Sequence, residues 1–195
     1  MTSVDFKKIH FPSTSDCMYR RKKTEDIILT LDPSSVLDIG GVEYEKVCQT
    51  KDIKYTSINI DSPQSTGQGG YHRTSNTLVY NGRDLPFKKN MFDLVIVNFV
   101  LHHTANSTLF LLKQIHNISS KYVLIGEDLS ELQYDIKWHK RNYDHQPGGV
   151  YRSDEEWRIL FKLFKLKLKT QYIIHRDDDN DSNNIYRCLY LLEKE

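Results

Sequence analysis

The stretch Ser34-Ser35-Val36-Leu37-Asp38-Ile39-Gly40-Gly41-Val42-Glu43 constrains this chain more than any other. A short apolar run ends in an acidic residue and then a pair of glycines. The run reads as a buried parallel strand, and the glycines as a turn where backbone must approach a ligand closely. Asp38 has no place in a core on its own account, because an ionised carboxylate is costly to bury without a partner. At the carboxyl end of a strand its natural partners are turn amides and the polar or cationic group of a ligand. In open α/β sheets, ligands bind at that end. The remainder of the chain is therefore expected to build a pocket around this turn.

The downstream pattern fits such a sheet. Phe92-Asp93-Leu94-Val95-Ile96-Val97-Asn98 is almost continuously apolar, which marks a central strand buried on both faces. Tyr55 to Asp61, Leu78 to Tyr80 and Tyr122 to Glu127 read as further strands. Helices are expected from Thr24 to Leu31, stopped by Asp32-Pro33, from about Glu43 to Thr50, and from Ser107 to Ser119, with Leu109, Leu112 and Ile115 inward. A capping box at Ser153-Asp154-Glu155-Glu156 opens a helix whose stripe is Trp157, Leu160, Phe161 and Phe164. The period switches to two at Leu166-Lys167-Leu168-Lys169, and after an acidic turn from Asp177 to Asn184 a last strand returns over Ile185 to Leu192. Strands alternating with helices and closed by a hairpin describe an α/β, mostly parallel sheet with one reversed strand. Residues 1–17 have no clear period and are expected to form an N-terminal arm, with a single domain over 18–195. Residues 62–77 and 129–150 read as irregular loops.

Several function classes are set aside by what the chain lacks. No apolar run approaches the roughly 20 residues that span a bilayer, and Met1 to Lys8 lacks the apolar core of a signal peptide. A cytoplasmic protein without a membrane partner is expected. Cys17, Cys48 and Cys188 show no metal spacing and are expected to be free or buried thiols in a reducing compartment, with no metal site. The sequons at Asn106 and Asn117 carry no weight without a secretory signal. A net charge of +1 gives no global attraction to nucleic acid. Any such contact must be local, and Lys137, Trp138, Lys140 and Arg141 interleave cations with an aromatic in a way that can stack a base, grip an anion or cap a pocket. Gly40-Gly41-Val42-Glu43-Tyr44-Glu45 does not fit the Gly-x-Gly-x-x-Gly fingerprint of nicotinamide enzymes.

Three further pieces, Asp84-Leu85-Pro86-Phe87, Met91-Phe92-Asp93-Leu94-Val95 and Leu101-His102-His103-Thr104, follow Val36-Leu37-Asp38-Ile39-Gly40 in order and spacing. Together they resemble the class I S-adenosylmethionine-dependent methyltransferases, and look most like the subgroup with small-molecule and tRNA-modifying members. The likeness covers roughly residues 30–130 well, and Gly149 to Ser153 with Glu156-Trp157 more loosely. It implies a Rossmann-like sheet of seven strands, S-adenosyl-L-methionine as cofactor, and methyl transfer to a small molecule or a nucleotide in RNA. Asp38, Gly40 and Gly41 match the turn under the methionine moiety. Asn59 and Asp61 both stand where the family holds the ribose diol. Two residues apart in a strand share a face, so pattern does not choose, although a charged acceptor at Asp61 makes the stronger bonds. Asn81, in place of the usual Asp, and Gly82 match the adenine frame, the Asn81 oxygen being able to accept from the adenine amino group. Asn98 and Phe99 match the end of the fourth strand, facing donor and acceptor.

The glycine pattern after Asp38 is incomplete, because Val42 and Tyr44 occupy the second and third glycine positions. Their side chains either crowd the cofactor or belong to a reshaped turn with Tyr44 packed back on the sheet. The incomplete pattern also motivates the alternative of an inactive, methyltransferase-like binding or scaffold protein. Where the acceptor must lose a proton a base is needed. His102 and His103, expected at the pocket mouth, and His145 near Asp144 are the candidates, the first two being equally readable as a connection that merely packs.

Overall fold

The computed structural model describes residues 16–60, 77–130, 149–176 and 185–195. The central apolar run forms β4 (Phe92–Asn98) over the range its sequence implies. Around it stand β1 (Ser35–Ile39), β2 (Lys54–Ile60), β3 (Thr77–Tyr80), β5 (Ser119–Leu129), β6 (Leu166–Arg176) and β7 (Ile185–Lys194). They make one sheet in the order β3-β2-β1-β4-β5-β7-β6. All neighbours are parallel except at β7, which runs antiparallel to both β5 and β6. After β1 the chain winds outward through β2 and β3, then returns to place β4 on the other side of β1. The strand order therefore reverses between β1 and β4, and the crevice beyond their carboxyl ends is the place where such sheets take ligands.

The two-residue period of the strands sends alternate side chains to two cores. Val36, Leu94, Ile96, Leu124 and Leu189 pack with Ile27, Ile28 and Cys48 under α1 (Asp16–Leu31) and α2 (Glu45–Gln49). Leu37, Ile39, Val95, Val97, Val123 and Ile125 pack under α3 (Thr108–Ile118) and α4 (Asp154–Leu163), with Trp157 and Phe161 at the centre. Cys48 and Cys188 are buried free thiols. Ser153 caps α4 reciprocally with Glu156, as its sequence implies. Among the described residues, no helix is long and apolar enough to cross a membrane.

The structure corrects three boundaries. The first helix begins at Asp16, not Thr24, so the last two residues of the expected arm are helical; residues 1–15 lie outside the described residues. Its first turns carry no apolar stripe and are supported by the i,i+4 pairs Arg21–Glu25 and Lys22–Asp26, which hydrophobic periodicity does not register. Leu109, expected inward, is 48% exposed. A 3-10 segment over Leu101–Ser107, broken at Ala105, precedes α3, and the buried face is Thr108, Leu111, Leu112, Ile115 and Ile118. The i, i+3, i+6 spacing of Leu109, Leu112 and Ile115 drifts off one face, whereas the observed set holds it. Finally, β5 runs past Glu127 to Leu129, where pairing with Tyr186 continues the ladder.

Candidate functional site

Asp38 and Asn98 point to the same face of the sheet, because Asp38 pairs with Ile96 in the β1–β4 register and Asn98 lies two residues further on. Asp38 is 1% exposed and accepts a 2.7 Å hydrogen bond from the Tyr55 hydroxyl. Its carboxyl oxygens lie 2.6 and 2.7 Å from where a Cβ on Gly41 would stand, so the turn closes directly over the carboxylate. Burial pushes this carboxyl up to about 7, against the Tyr55 hydrogen bond that favours its charged form. Asp38 thus organises the turn from beneath.

The reshaped turn is the one realised for Tyr44. Gly40 has φ +81, and neither Val42 nor Tyr44 has positive φ, so the backbone does not demand glycine at either position. Tyr44 is 1% exposed and packs into the core under α1 and α2 with Ile28, Val36, Cys48 and Leu94. Val42 is half-buried. From inside that core the Tyr44 hydroxyl receives a 3.1 Å hydrogen bond from Asn98 Nδ2.

The other end of the Asn98 carboxamide is different. Its Oδ1 is buried and has no hydrogen-bond partner among the described residues. It lies over Gly126 of β5, where a Cβ would stand 2.6 Å from Oδ1 and 2.8 Å from Leu189 Cδ2. Gly126→Ala is therefore expected to lower stability by about 1–3 kcal/mol, the ordinary penalty of overpacking, and urea unfolding would show it. A neutral result would mean that Asn98 moves aside freely.

Phe99 follows in the left-handed region, at φ +57, with its N–H donating to the Gly126 carbonyl at 2.7 Å. A bulky residue there is strained and persists only where its surroundings over-determine it. Here the surroundings are the guanidinium carbons of Arg20 and Arg187, each 4.9 Å from the ring centroid. Arg20 pairs with Glu43 and Arg187 with Asp128.

On the opposite face, His102 is 3% exposed and does not stand open at a pocket mouth. Its Nδ1 lies 2.7 Å from Oε2 of Glu127, which is fully buried. Oε1 of the same carboxylate accepts the Leu101 N–H at 2.7 Å. Burial works against the charged imidazole, but the attraction and hydrogen bond of Glu127 outweigh it, and the His102 pKa is raised. Tyr151 stacks on the ring at 5.0 Å, and Val150 N–H donates to the His102 carbonyl. His103 is exposed, its ring centroid 4.0 Å from that of His102.

Asn59 is buried, with Oδ1 accepting from the Ile60 N–H at 2.8 Å. Asn81 is exposed, and its Oδ1 accepts from the backbone N–H groups of Arg83 and Asp84 at 2.9 and 2.8 Å. That oxygen forms the turn leading into Leu85-Pro86-Phe87, with Gly82 at φ +76, and its two lone pairs are committed there. Asp61, His145, Lys137, Trp138, Lys140 and Arg141 lie outside the described residues. Pattern reading did not single out Tyr55, Gly126 or Glu127. Glu127 carried a usable signal, since an acidic residue ending Val123-Leu124-Ile125-Gly126 poses the same question as Asp38.

Residues 37–121 match the model of a methyltransferase domain. No curated protein matches the chain. Among solved structures, the chain is similar to an S-adenosylmethionine-dependent methyltransferase of Methanosarcina mazei, with 14% identity, coverage of 82% of this chain and 92% of the other, and TM-score 0.58. It is also similar to magnesium protoporphyrin IX methyltransferase of Synechocystis, solved with bound S-adenosylhomocysteine, at 12% identity, 92% and 84% coverage, and TM-score 0.63. A third similar structure, the 4+2 cyclase SpnF, has 11% identity, 95% and 84% coverage, and TM-score 0.68. These likenesses establish the Rossmann-like fold of class I methyltransferases. A cyclase on the same fold shows why the activity must be argued from the site.

Proposed function

We propose that the chain is an S-adenosyl-L-methionine-dependent methyltransferase acting on a small molecule or on an exposed nucleotide in RNA. The observation that carries this reading is the placement of Tyr44. The residue that departs from the family's glycine pattern is folded into the core, and the turn at Gly40 and Gly41 is closed from below by Asp38. The match of residues 37–121 to a methyltransferase domain supports the same reading. The buried orphan oxygen of Asn98, at the crevice end of β4, is a second feature suited to a ligand.

The cofactor would be held between the Gly40–Gly41 turn, Asn59 or Asp61 at the end of β2, and the Gly82 turn. Bound there, it would supply an already activated methyl group for displacement by a nucleophile. The protein's part is then chiefly orientation, which contributes up to roughly 7–11 kcal/mol in favourable cases. His102 is held by Glu127 rather than free to swing, so a proton relay through it would have to run along the buried pair. The inactive-scaffold alternative rested on Val42 and Tyr44, and the burial of Tyr44 removes half of its motive. Lys137, Trp138, Lys140 and Arg141 remain the proposed local contact to an anionic or nucleotide acceptor.

Titration calorimetry with S-adenosylhomocysteine tests the reading. Binding in the micromolar range is expected from protein with a folded circular dichroism spectrum. No heat at high micromolar ligand would sink the cofactor-binding step and leave the scaffold alternative standing.

A further inference from the structure

The Asn98 carboxamide is fixed at one end and unanswered at the other. Nδ2 is spent on the Tyr44 hydroxyl at 3.1 Å, while the buried Oδ1 has no partner among the described residues. A buried acceptor left unmade costs roughly 1–3 kcal/mol, so native proteins seldom leave one without a purpose. The surroundings explain the vacancy sterically. Gly126 beneath it has no side chain, and Leu189 beside it offers only a methyl group. Rotating the amide would not remove the orphan, because the Tyr44 bond would be broken as well. Asn98 also ends β4 at the point where strand order reverses, beside the strained Phe99.

We propose that Tyr44 is a positioning residue which locks Asn98 so that Oδ1 receives a hydrogen bond from the methyl acceptor. The inference rests on the methyltransferase reading above and adds a substrate class to it. The acceptor's nucleophilic atom carries a hydrogen: an amine or amide N–H, or a hydroxyl. A thioether, a tertiary amine or a bare aromatic carbon would leave Oδ1 as unsatisfied as it is now. A carboxamide oxygen cannot take the proton away. Its role is to hold the N–H or O–H and so aim the remaining lone pair. Tyr44 suits the task because burial raises its phenol pKa and keeps it un-ionised.

Sinefungin, the cofactor analogue with an amine-bearing carbon in place of the methylated sulfur, supplies a donor at the reacting position without any acceptor. Its affinity is compared with that of S-adenosylhomocysteine by calorimetry. The wild-type protein is expected to bind sinefungin about tenfold more tightly or better, the value of one charge-assisted hydrogen bond. Asn98→Leu should bring the ratio of the two affinities to about one, and Asn98→Asp, which keeps an acceptor oxygen, should retain it. Tyr44→Phe should reduce the ratio several-fold while leaving the S-adenosylhomocysteine affinity unchanged, an effect that mere packing would not produce. If S-adenosylhomocysteine binds but the wild-type ratio is near one, or survives in Asn98→Leu, this proposal falls and the methyltransferase reading stands. If folded wild-type protein binds neither ligand, both fall.

Discussion

Replacing Glu127 with alanine is expected to remove about 3–5 kcal/mol of folding stability, the usual consequence of breaking a buried pair by deleting one partner. Both oxygens of this carboxylate are in use, one on His102 Nδ1 and the other on the Leu101 N–H. Neither donor has water to turn to, since His102 and Glu127 are 3% and 0% exposed. The pair also ties the end of β5 to the 3-10 segment that sets the phase of α3, so the loss should spread beyond the immediate contact. Urea unfolding followed by far-ultraviolet circular dichroism measures it. A loss below about 1 kcal/mol would place the pair in solvent-like surroundings and contradict its burial. Glu127→Gln, which keeps an acceptor for Leu101, should lie between wild type and alanine.

The same pair has a pH signature of definite sign. His102 titrates higher in the folded protein than its ordinary 6.5. Its contribution to stability is therefore fully present below about pH 6.5 and is lost as pH rises through the higher folded value. The stability difference between wild type and Glu127→Ala should accordingly be largest in mild acid and shrink towards pH 9, without vanishing, because the Leu101 bond does not titrate. Asp38, pushed up to about 7, also lowers wild-type stability as pH rises through that value. That effect is common to both proteins and cancels in the difference.

Sheet and turn were legible for a physical reason. β4 is apolar because both of its faces are buried, and Ser153 with Glu156 signals a helix start because a helix N-terminus needs those hydrogen bonds. The first turns of α1 and the inward face of α3 were not legible. Charge pairs support the former and a broken 3-10 segment sets the latter, and neither leaves an apolar period. The site was legible only as positions. Asn98 and Asp38 could be placed at strand ends by pattern. That Asn98 would spend one end of its amide on Tyr44, or that Asn81 would turn its oxygen on its own backbone, depends on side-chain directions that spacing does not carry.

Restoring the family's glycine is the sharpest case of that difference, for Tyr44→Gly is expected to damage the protein rather than repair it. The pattern alone suggests that removing a bulky side chain from a cofactor turn should improve binding. The geometry says otherwise, because the Tyr44 ring is part of the core under α1 and α2 and its φ of −108 is open to any residue. Deleting a buried aromatic leaves a cavity worth about 3–5 kcal/mol, and glycine adds chain entropy to the unfolded state. The Asn98 amide would lose its only hydrogen-bond partner among the described residues and become free to turn. Unfolding should therefore shift to markedly lower urea, while S-adenosylhomocysteine affinity stays the same or weakens. Undiminished stability together with tighter binding would mean that Tyr44 stands in the cofactor's way after all. The expected result would instead mean that a position used in relatives for backbone approach has here been given to a side chain that braces the acceptor end of the same pocket.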